Sequence, residues 1–207
     1  MGILYHIFQL IARSEKSGII IQTIQKMTII IGLGNPGDQY KNTRHNVGFL
    51  ALDKYAEEND FPAFVLQKKS KALVSENNDV ILAKPQTFMN ESGKAVREIA
   101  KNKPVESLVI VHDDIDLPLG KIKIIKERGS AGHKGVDSII QNIGNEGLIR
   151  IRIGIGSETK TEAMKVVLKN FSADEKVVLN EALERTTKAI DSLINNGLDK
   201  TMNEYNK

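Results

Sequence analysis

Cysteine is absent from this chain of 207 residues. Its absence excludes a disulfide framework, a thiolate metal site and a cysteine nucleophile. Long hydrophobic runs are absent too, because the longest apolar stretch, ILYHIFQLIA at residues 3–12, is too short to cross a bilayer and has no basic residue ahead of it. The chain also lacks the Gly-x-Ser-x-Gly motif of many serine hydrolases and the lysine pattern of a P-loop. We therefore expect a soluble, cytoplasmic protein.

Positive charge is concentrated in one part of the chain, although the net charge of the whole is only +3. Residues 117–170 contain ten Lys or Arg and five Asp or Glu, a net charge of +5, so the remaining residues carry −2. The basic residues of this segment are Lys121, Lys123, Lys126, Arg128, Lys134, Arg150, Arg152, Lys160, Lys165 and Lys169. Such a cluster is typical of a surface that binds a polyanion, and ordinary solvated faces are the alternative.

Strands and helices alternate along the chain, and the apolar content of 41% is enough for one substantial core. The pattern predicts a strand from Met27, helices over 46–59, 87–102 and 136–143, a hairpin over 71–85, further strands over 107–114, 121–127 and 148–156, and a long amphipathic helix over 173–198. This predicts a single α/β domain over 27–207, with a mixed, mostly parallel sheet flanked by helices. Residues 1–26 are predicted to be an appended segment, for which an upstream start site and a function of its own are the two interpretations.

Two of the predicted strands alternate basic with apolar residues. They are KIKIIKE at 121–127 and LIRIRIGIG at 148–156. Because successive side chains of a strand point to opposite faces, each strand would bury one face and expose a basic one. The basic side chains of both strands are therefore expected on the surface.

The stretch IIIGLGNPGDQY fits the dinucleotide-binding pattern G-x-G-x-x-G at Gly32, Gly34 and Gly37. That pattern binds a pyrophosphate when its glycines open a helix, but Pro36 removes one backbone donor and no apolar stripe follows. Asn-Pro-Gly is also a turn signal. The sequence favours a strand that ends in a tight turn, and an NAD-dependent oxidoreductase is the disfavoured alternative.

Polar side chains that suit acid–base chemistry occur where loops meet strands and helices. His45 stands at a loop-to-helix junction, and Asp113 ends an apolar strand, where ligands bind in open α/β sheets. Asn35, Asn46 and Asn90 lie in loops that should share that edge and offer neutral donors and acceptors. A His–Asp pair is the functional interpretation, and capping, core or turn roles are the alternatives.

A metal site is the second interpretation of the same loops. His112, Asp114 and Asp116 are close in sequence and carry suitable ligand atoms. The sequence places no second histidine nearby, as a typical site requires, so the metal interpretation is disfavoured.

Six motifs, taken in order and spacing, resemble bacterial-type peptidyl-tRNA hydrolase over about residues 28–207. They are GLGNPG, TRHNVGF, KPQTFMNESG, HDDIDLPLG, GSAGHKG and RIRIGIG. The resemblance implies an enzyme that hydrolyses the ester between a peptide, or an N-blocked aminoacyl group, and the terminal ribose of tRNA. Such enzymes recycle peptidyl-tRNA released from ribosomes, and the resemblance implies a monomer that uses no metal and no cofactor.

The resemblance also implies roles for individual residues. His45 matches the general base and Asp113 the partner that holds its imidazole. Asn35, presented by the glycine turn, and Asn90 match positions that grip the peptide and the reacting carbonyl. The remaining matches are Tyr40 and Phe88, which contact the end of the substrate, and Arg152, which meets the 5′ phosphate of a tRNA bound through its acceptor arm and 3′ end.

One motif departs from the family pattern. The family usually reads Gly-Gly-His-Asn-Gly where this chain has Gly132-His133-Lys134-Gly135, so Lys134 replaces a substrate-binding asparagine. Some relatives of the family bind RNA without hydrolysing it, and a non-enzymatic RNA-binding module is therefore the alternative function. The presence of both His45 and Asp113 favours the enzyme.

Overall fold

A central sheet organises the molecule. The computed structural model describes residues 27–103, 105–156 and 166–207, so the predicted appended segment 1–26 lies outside the described residues. The strands of the sheet are β1 (Met27–Gly32), β2 (Val65–Gln67), β3 (Ala72–Asn77), β4 (Val80–Pro85), β5 (Val105–Pro118), β6 (Ile122–Lys126) and β7 (Leu148–Gly156). Their spatial order is β2-β3-β4-β1-β5-β7-β6. Strands β4, β1, β5 and β7 are parallel neighbours, whereas β3 and β6 run antiparallel to theirs.

Helices cover both faces of this sheet. They are α1 (Val47–Glu58), α2 (Ser92–Ala100), α3 (Lys134–Ile143), α4 (Ala173–Asn196) and α5 (Leu198–Tyr205). Helices α1, α4 and α5 pack on one face in a core that includes Ile30, and α2 and α3 pack on the other with Ile29 and Ile31. Because both faces are buried, the central strands are apolar throughout rather than alternating. The predicted α/β fold with its mixed sheet is confirmed.

The C-terminal helix is interrupted where the sequence signals a stop. Gly197 has a φ of 81°, in the left-handed region that glycine tolerates, and it separates α4 from α5. The sequence prediction ended the helix near this point but missed α5. Ser192 and Thr201 hydrogen-bond across the break at 2.8 Å, which fastens α5 to α4.

The prediction of two exposed basic strands is right for one strand and wrong for the other. Lys123 and Lys126 are exposed on β6, which forms an edge of the sheet. Strand β7 lies between β5 and β6, and Arg150 is only 2% exposed. A residue on an interior strand has a covered face on either side, so alternation with apolar residues did not mark Arg150 as a surface residue.

Backbone contact between α1 and the sheet sets the position of the residues before α1. A Cβ atom on Gly48 would lie 2.4 Å from the carbonyl oxygen of Val111 and 2.5 Å from the amide nitrogen of Leu33. Only glycine allows this approach, because real side chains are never that close. The 3-10 turn Arg44–Asn46, which leads into α1, is thereby brought to the carboxyl ends of β1 and β5.

Candidate active site

A cleft of about 620 Å³ opens at the carboxyl ends of the parallel strands. Its walls are formed by loops after β1, β4 and β6, by the carboxyl-terminal half of β5, by the start of α3 and by residues just before α4. The residues that line it and figure below are Asn35, His45, Phe88, Asn90, His112, Asp113, His133, Lys134 and Leu168. The fold therefore places most of the predicted site residues around one cavity at the edge where ligands bind in open α/β sheets.

His45 and Asp113 form the predicted pair. The Nδ1 atom of His45 lies 2.8 Å from Oδ1 of Asp113. Because an ionised carboxylate only accepts hydrogen bonds, Nδ1 carries the proton and Nε2 carries the lone pair. Nε2 makes no hydrogen bond with the described residues. The ring is thus oriented by one nitrogen and has the other available as a base.

A second histidine, not singled out from the sequence, contacts the same carboxylate oxygen. The Nε2 atom of His133 lies 2.9 Å from Oδ1 of Asp113. His133 is the N-cap of α3, and its Nδ1 accepts hydrogen bonds from the backbone of Gly135 at 3.1 Å and of Val136 at 3.3 Å. The glycine-rich loop before α3 marked a helix start, but no pattern in the sequence linked His133 to a carboxylate on β5.

Asp113 is a buried anion held by two imidazole N–H groups. Its exposure is 2%. Burial alone would raise the pKa of this carboxyl group, but the interactions with His133 and His45 outweigh burial and hold the pKa well below its usual range. Asp113 is therefore ionised at neutral pH and stabilises a positive charge on His45.

The structure does not bring together as a metal site the three residues of the disfavoured metal interpretation. Among the described residues, the cluster with metal-ligating potential consists of His45, Asp113 and His133, rather than His112, Asp114 and Asp116. In this cluster the Nδ1 lone pair of His133 is used by backbone N–H groups, so its proton lies on Nε2, toward Asp113. A nitrogen that carries a proton is a donor and not a metal ligand, and the cluster fits a hydrogen-bonded site better than a metal centre.

The backbone and the side-chain oxygen of Asn35 are held by neighbouring residues, whereas its side-chain nitrogen bonds none of the described residues. Its Oδ1 accepts a hydrogen bond from the backbone of Met89 at 2.9 Å. Asn46, which is 1% exposed, bonds both the backbone nitrogen and the carbonyl of Asn35, each at 2.9 Å. The Nδ2 group of Asn35 has no hydrogen-bond partner among the described residues. Asn46 is thus a support for Asn35.

Of the other residues predicted to contact the substrate, three line the cleft and two do not. Phe88 is exposed at 60% and Asn90 is also exposed, and both line the cleft with Lys134. Tyr40 does not line the cleft. Arg152 lies outside it as well, and its Nε donates to Oδ2 of Asp114.

Arg44 is a further residue of the site that the sequence did not reveal. It is 8% exposed, and it donates hydrogen bonds to both carboxylate oxygens of Glu175 at 2.6 Å and to the carbonyl oxygen of Asn170 at 2.7 Å. Its guanidinium also lies over the ring of Phe171, 5.1 Å from the ring centroid. The capping box of α4, in which Ser172 and Glu175 bond each other's backbone, thus joins the turn that carries His45. From the sequence, an arginine in a loop is expected to be exposed to solvent. The role of Arg44 became visible only through its contact with Glu175, 131 residues away.

Comparison with known proteins identifies the family of the chain. A family model described as peptidyl-tRNA hydrolase matches residues 29–207. The chain is 42% identical over 190 residues to a peptidyl-tRNA hydrolase of Thermodesulfovibrio yellowstonii, covering 87% of this chain and all of that one, and 43% identical over 183 residues to one of Fervidobacterium nodosum, covering 86% and 95%.

A solved structure extends the agreement to the fold. The crystal structure of peptidyl-tRNA hydrolase from Acinetobacter baumannii superposes with a TM-score of 0.79 at 29% identity, covering 89% of this chain and 97% of that one. The matches in sequence and in fold cover most of the chain. The chain belongs to the peptidyl-tRNA hydrolase family.

Proposed function

We propose that the chain hydrolyses peptidyl-tRNA by a water molecule that His45 activates. Hydrolysis of peptidyl-tRNA is the activity of the family, and the proposal concerns the residues that perform it. One observation carries it: the Nδ1–H group of His45 is held by the buried Asp113, while Nε2 faces no described hydrogen-bond partner in a cleft of about 620 Å³. A base oriented by a carboxylate is the arrangement that general-base hydrolysis requires.

The reaction balances with His45 as the only group that exchanges a proton. Nε2 takes a proton from water while the water oxygen bonds to the ester carbonyl carbon. The bond between that carbon and the ribose oxygen then breaks, and the protonated His45 returns its proton to the ribose oxygen. The products are a peptide with a free carboxyl group and a tRNA with a free hydroxyl group. Asp113 stays ionised throughout and stabilises the imidazolium.

Asn35 and Asn90 are proposed to bind the reacting end of the substrate. The Nδ2 group of Asn35 has fixed surroundings and no described partner, which makes it a preorganised donor. A donor aimed at the oxygen where negative charge develops contributes about 10²–10³ to the rate. Phe88, exposed beside Asn90, offers an apolar surface for a base or a peptide side chain.

The tRNA is proposed to lie along the basic surface that leads to the cleft. Lys123, Lys126 and Arg128 are exposed on and after β6, and Lys134 is exposed at the cleft. Arg152 stays a proposed phosphate contact. Its ion pair with Asp114 engages only Nε, so the outer guanidinium nitrogens can contact a phosphate. Lys160 and Lys165 lie outside the described residues. Arg150 is withdrawn from this surface because it is buried.

The alternative, an RNA-binding module without hydrolysis, makes a different prediction in one assay. Hydrolysis of N-acetylated aminoacyl-tRNA is compared with that of the unblocked form. We expect release of the acylated amino acid from the blocked substrate only, and no effect of chelators. Binding of the blocked substrate without release would favour the RNA-binding module, and a loss of activity in EDTA that zinc restores would favour a metal centre.

A further inference from the structure

Arg150 has a place in the fold that the hydrolysis mechanism does not explain. It lies in the interior strand β7, 2% exposed, and its hydrogen bonds within the described part of the chain all go to neutral groups. Burying a guanidinium without a carboxylate partner opposes folding. Burial also lowers the pKa of Arg150 from its ordinary value. Because the burial of Arg150 opposes folding, we examined which contacts its guanidinium makes.

The contacts of Arg150 join two parts of the cleft wall. One terminal nitrogen lies 3.3 Å from Nε2 of His112, and the other lies 3.3 Å from the carbonyl oxygen of Arg128 and 2.5 Å from that of Gly129. Arg128 and Gly129 begin the loop that leads to His133. The guanidinium therefore fixes the start of this loop against β5.

The loop needs such support because its backbone is unfavourable. Ala131 has a φ of 53°, in the left-handed region that residues with a Cβ rarely adopt. Gly132, with a φ of 81°, follows it. Within the loop, the Ser130 hydroxyl accepts a hydrogen bond from the backbone of Gly132 at 3.2 Å. Contacts from outside the loop therefore help to stabilise the conformation that places His133.

Hydrogen bonding fixes the proton on His112. An arginine only donates, so Nε2 of His112 accepts from Arg150. A carbonyl only accepts, so Nδ1 of His112 donates to the backbone oxygen of Asp113, at 2.6 Å. The two contacts independently require the same neutral form, with the proton on Nδ1. The ring of His112 then packs edge-on against His133, with ring centroids 4.6 Å apart.

Hydrogen bonding fixes His133 in the opposite form. Nδ1 accepts from the backbone of Gly135 and Val136, and Nε2 donates to Asp113. Neither nitrogen has a lone pair left for a proton from the substrate water. Around Asp113, His45 is thus the histidine whose second nitrogen is unoccupied by described residues.

We propose that Arg150 is a positioning residue of the active site: by bonding His112 and the backbone of Arg128 and Gly129, it holds the loop that directs the Nε2–H group of His133 at Asp113. The inference rests on the proposed role of His45. With His133 fixed as a donor, Asp113 keeps two N–H groups on one oxygen, and the proton that His45 takes from water stays on His45.

The first test measures the tautomers of the unmodified full chain by ¹⁵N NMR of the histidine rings at neutral pH, with assignments from single histidine variants. We expect His112 with its proton on Nδ1 and His133 with its proton on Nε2. A His133 that carries its proton on Nδ1, or on both nitrogens, would overturn the inference. This outcome is independent of the assay for hydrolysis, which tests His45.

The second test compares Arg150→Met and Arg150→Lys with Arg97→Met, a variant of an exposed arginine on α2. In Arg150→Met we expect the Nε2–H signal of His133 to weaken through exchange with water. The same variant should lower kcat by about 10- to 100-fold with KM little changed, because displaced catalytic groups lose their alignment. Arg150→Lys, which keeps the charge but lacks the planar fork, should not restore kcat.

Two results would contradict the role of Arg150. One is a folded Arg150→Met protein with an unchanged His133 signal and an unchanged kcat. The other is a loss of kcat in Arg150→Met that Arg150→Lys restores in full, since that would indicate a need for charge rather than for the bonds to His112 and the loop. Arg97→Met should leave both the spectrum and kcat unchanged.

Discussion

At the scale of single residues, the site depends on which atoms of each side chain are already engaged. Within the described part of the chain, His45 has one engaged ring nitrogen, whereas His112 and His133 each have two. Asn35 likewise has an engaged Oδ1 and an Nδ2 that bonds none of the described residues. Residue type alone would make the three histidines equivalent, and only the hydrogen bonds distinguish a base from two positioned donors.

Lys134 gives a prediction at this scale. A lysine has hydrogen-bond donors but no acceptor, so Lys134 suits a phosphate better than a peptide amide. We expect Lys134→Ala to weaken binding of blocked aminoacyl-tRNA and to lower the slope of log K against log salt by roughly 1, with turnover at saturation little changed.

The matched control for Lys134 is Lys188→Ala, which alters an exposed lysine on α4 outside the basic segment. Binding constants at several salt concentrations, measured for both variants, provide the comparison. A lowered turnover number with an unchanged salt slope would instead place Lys134 beside the reacting ester.

At the scale of elements, the site is assembled from the ends of separate strands and helices that meet through backbone contacts. Gly48 lets α1 approach β1 and β5, and the capping box at Ser172 connects α4 to the turn of His45 through Arg44. The Ser-x-x-Glu pattern of that capping box is visible in the sequence, but its connection to Arg44 is not.

Arg44 gives a prediction at the scale of elements. Arg44→Met removes hydrogen bonds to Glu175 and to the carbonyl of Asn170, and a hydrogen bond to a charged group contributes about 1.5–3 kcal/mol. We expect the free energy of unfolding to fall by roughly 1–3 kcal/mol. We also expect kcat to fall, because the turn that carries His45 loses its attachment to α4.

Urea unfolding and turnover measurements test the role of Arg44. Lys54→Met is the control, since Lys54 and Glu58 form a more exposed pair one helical turn apart, worth about 0.2–0.5 kcal/mol. Equal losses of stability in the two variants, with kcat retained in both, would show that Arg44 does not support the site.

The sequence predicted the elements better than it predicted their contacts. The apolar run of β5, the hairpin and the helix start at the glycine loop follow from local periodicity and turn residues, so the fold was accessible. His45 and Asp113 were accessible because carboxyl ends of parallel strands meet at one edge. The long-range bonds of Arg150, Arg44 and His133 were not, because each joins residues of different elements whose meeting depends on how those elements pack.

At the scale of the whole molecule, the fold buries polar groups whose protonation makes stability depend on pH. His112 is buried at 1% exposure, and burial first, then the nearby His133 and Arg150, lower its pKa well below the ordinary value, against the opposing effect of Asp113. In the unfolded chain a histidine has a pKa of about 6.5. The unfolded chain therefore binds a proton, as the pH falls, that the folded chain does not.

The sign of this effect gives a third prediction. The contribution of His112 is fully present above a pH of about 6.5 and is lost as the pH falls below it, by up to about 1.4 kcal/mol per pH unit. His112→Gln should reduce the slope of unfolding free energy against pH in this range, whatever its effect on stability at neutral pH. Equal slopes for the two proteins would mean that His112 binds a proton as readily in the folded state as in the unfolded chain.

The last feature at this scale is the extent of the folded domain. Among them, no helix has the length and apolar character needed to cross a membrane. The proposed hydrolase domain starts at Met27, and the family model begins at residue 29. We propose that residues 1–26 are appended to it.

Deletion of residues 1–26 tests this proposal. A chain that starts at Met27 should keep the kcat and KM of the full chain, because every described residue that lines the cleft is retained. Circular dichroism establishes folding, and hydrolysis of blocked aminoacyl-tRNA gives the kinetics. A shortened protein that is folded but inactive would assign residues 1–26 to the site.

The turnover of His45→Ala is the measurement that tests the central claim most directly. The variant removes the Nε2 atom, which bonds none of the described residues, and leaves His133 hydrogen-bonded to Asp113. We predict that hydrolysis of blocked aminoacyl-tRNA falls by about 10²–10⁴-fold, as expected for loss of a general base, while the affinity for that substrate changes by less than about twofold. A folded His45→Ala protein that hydrolyses the substrate at nearly the original rate would contradict the account.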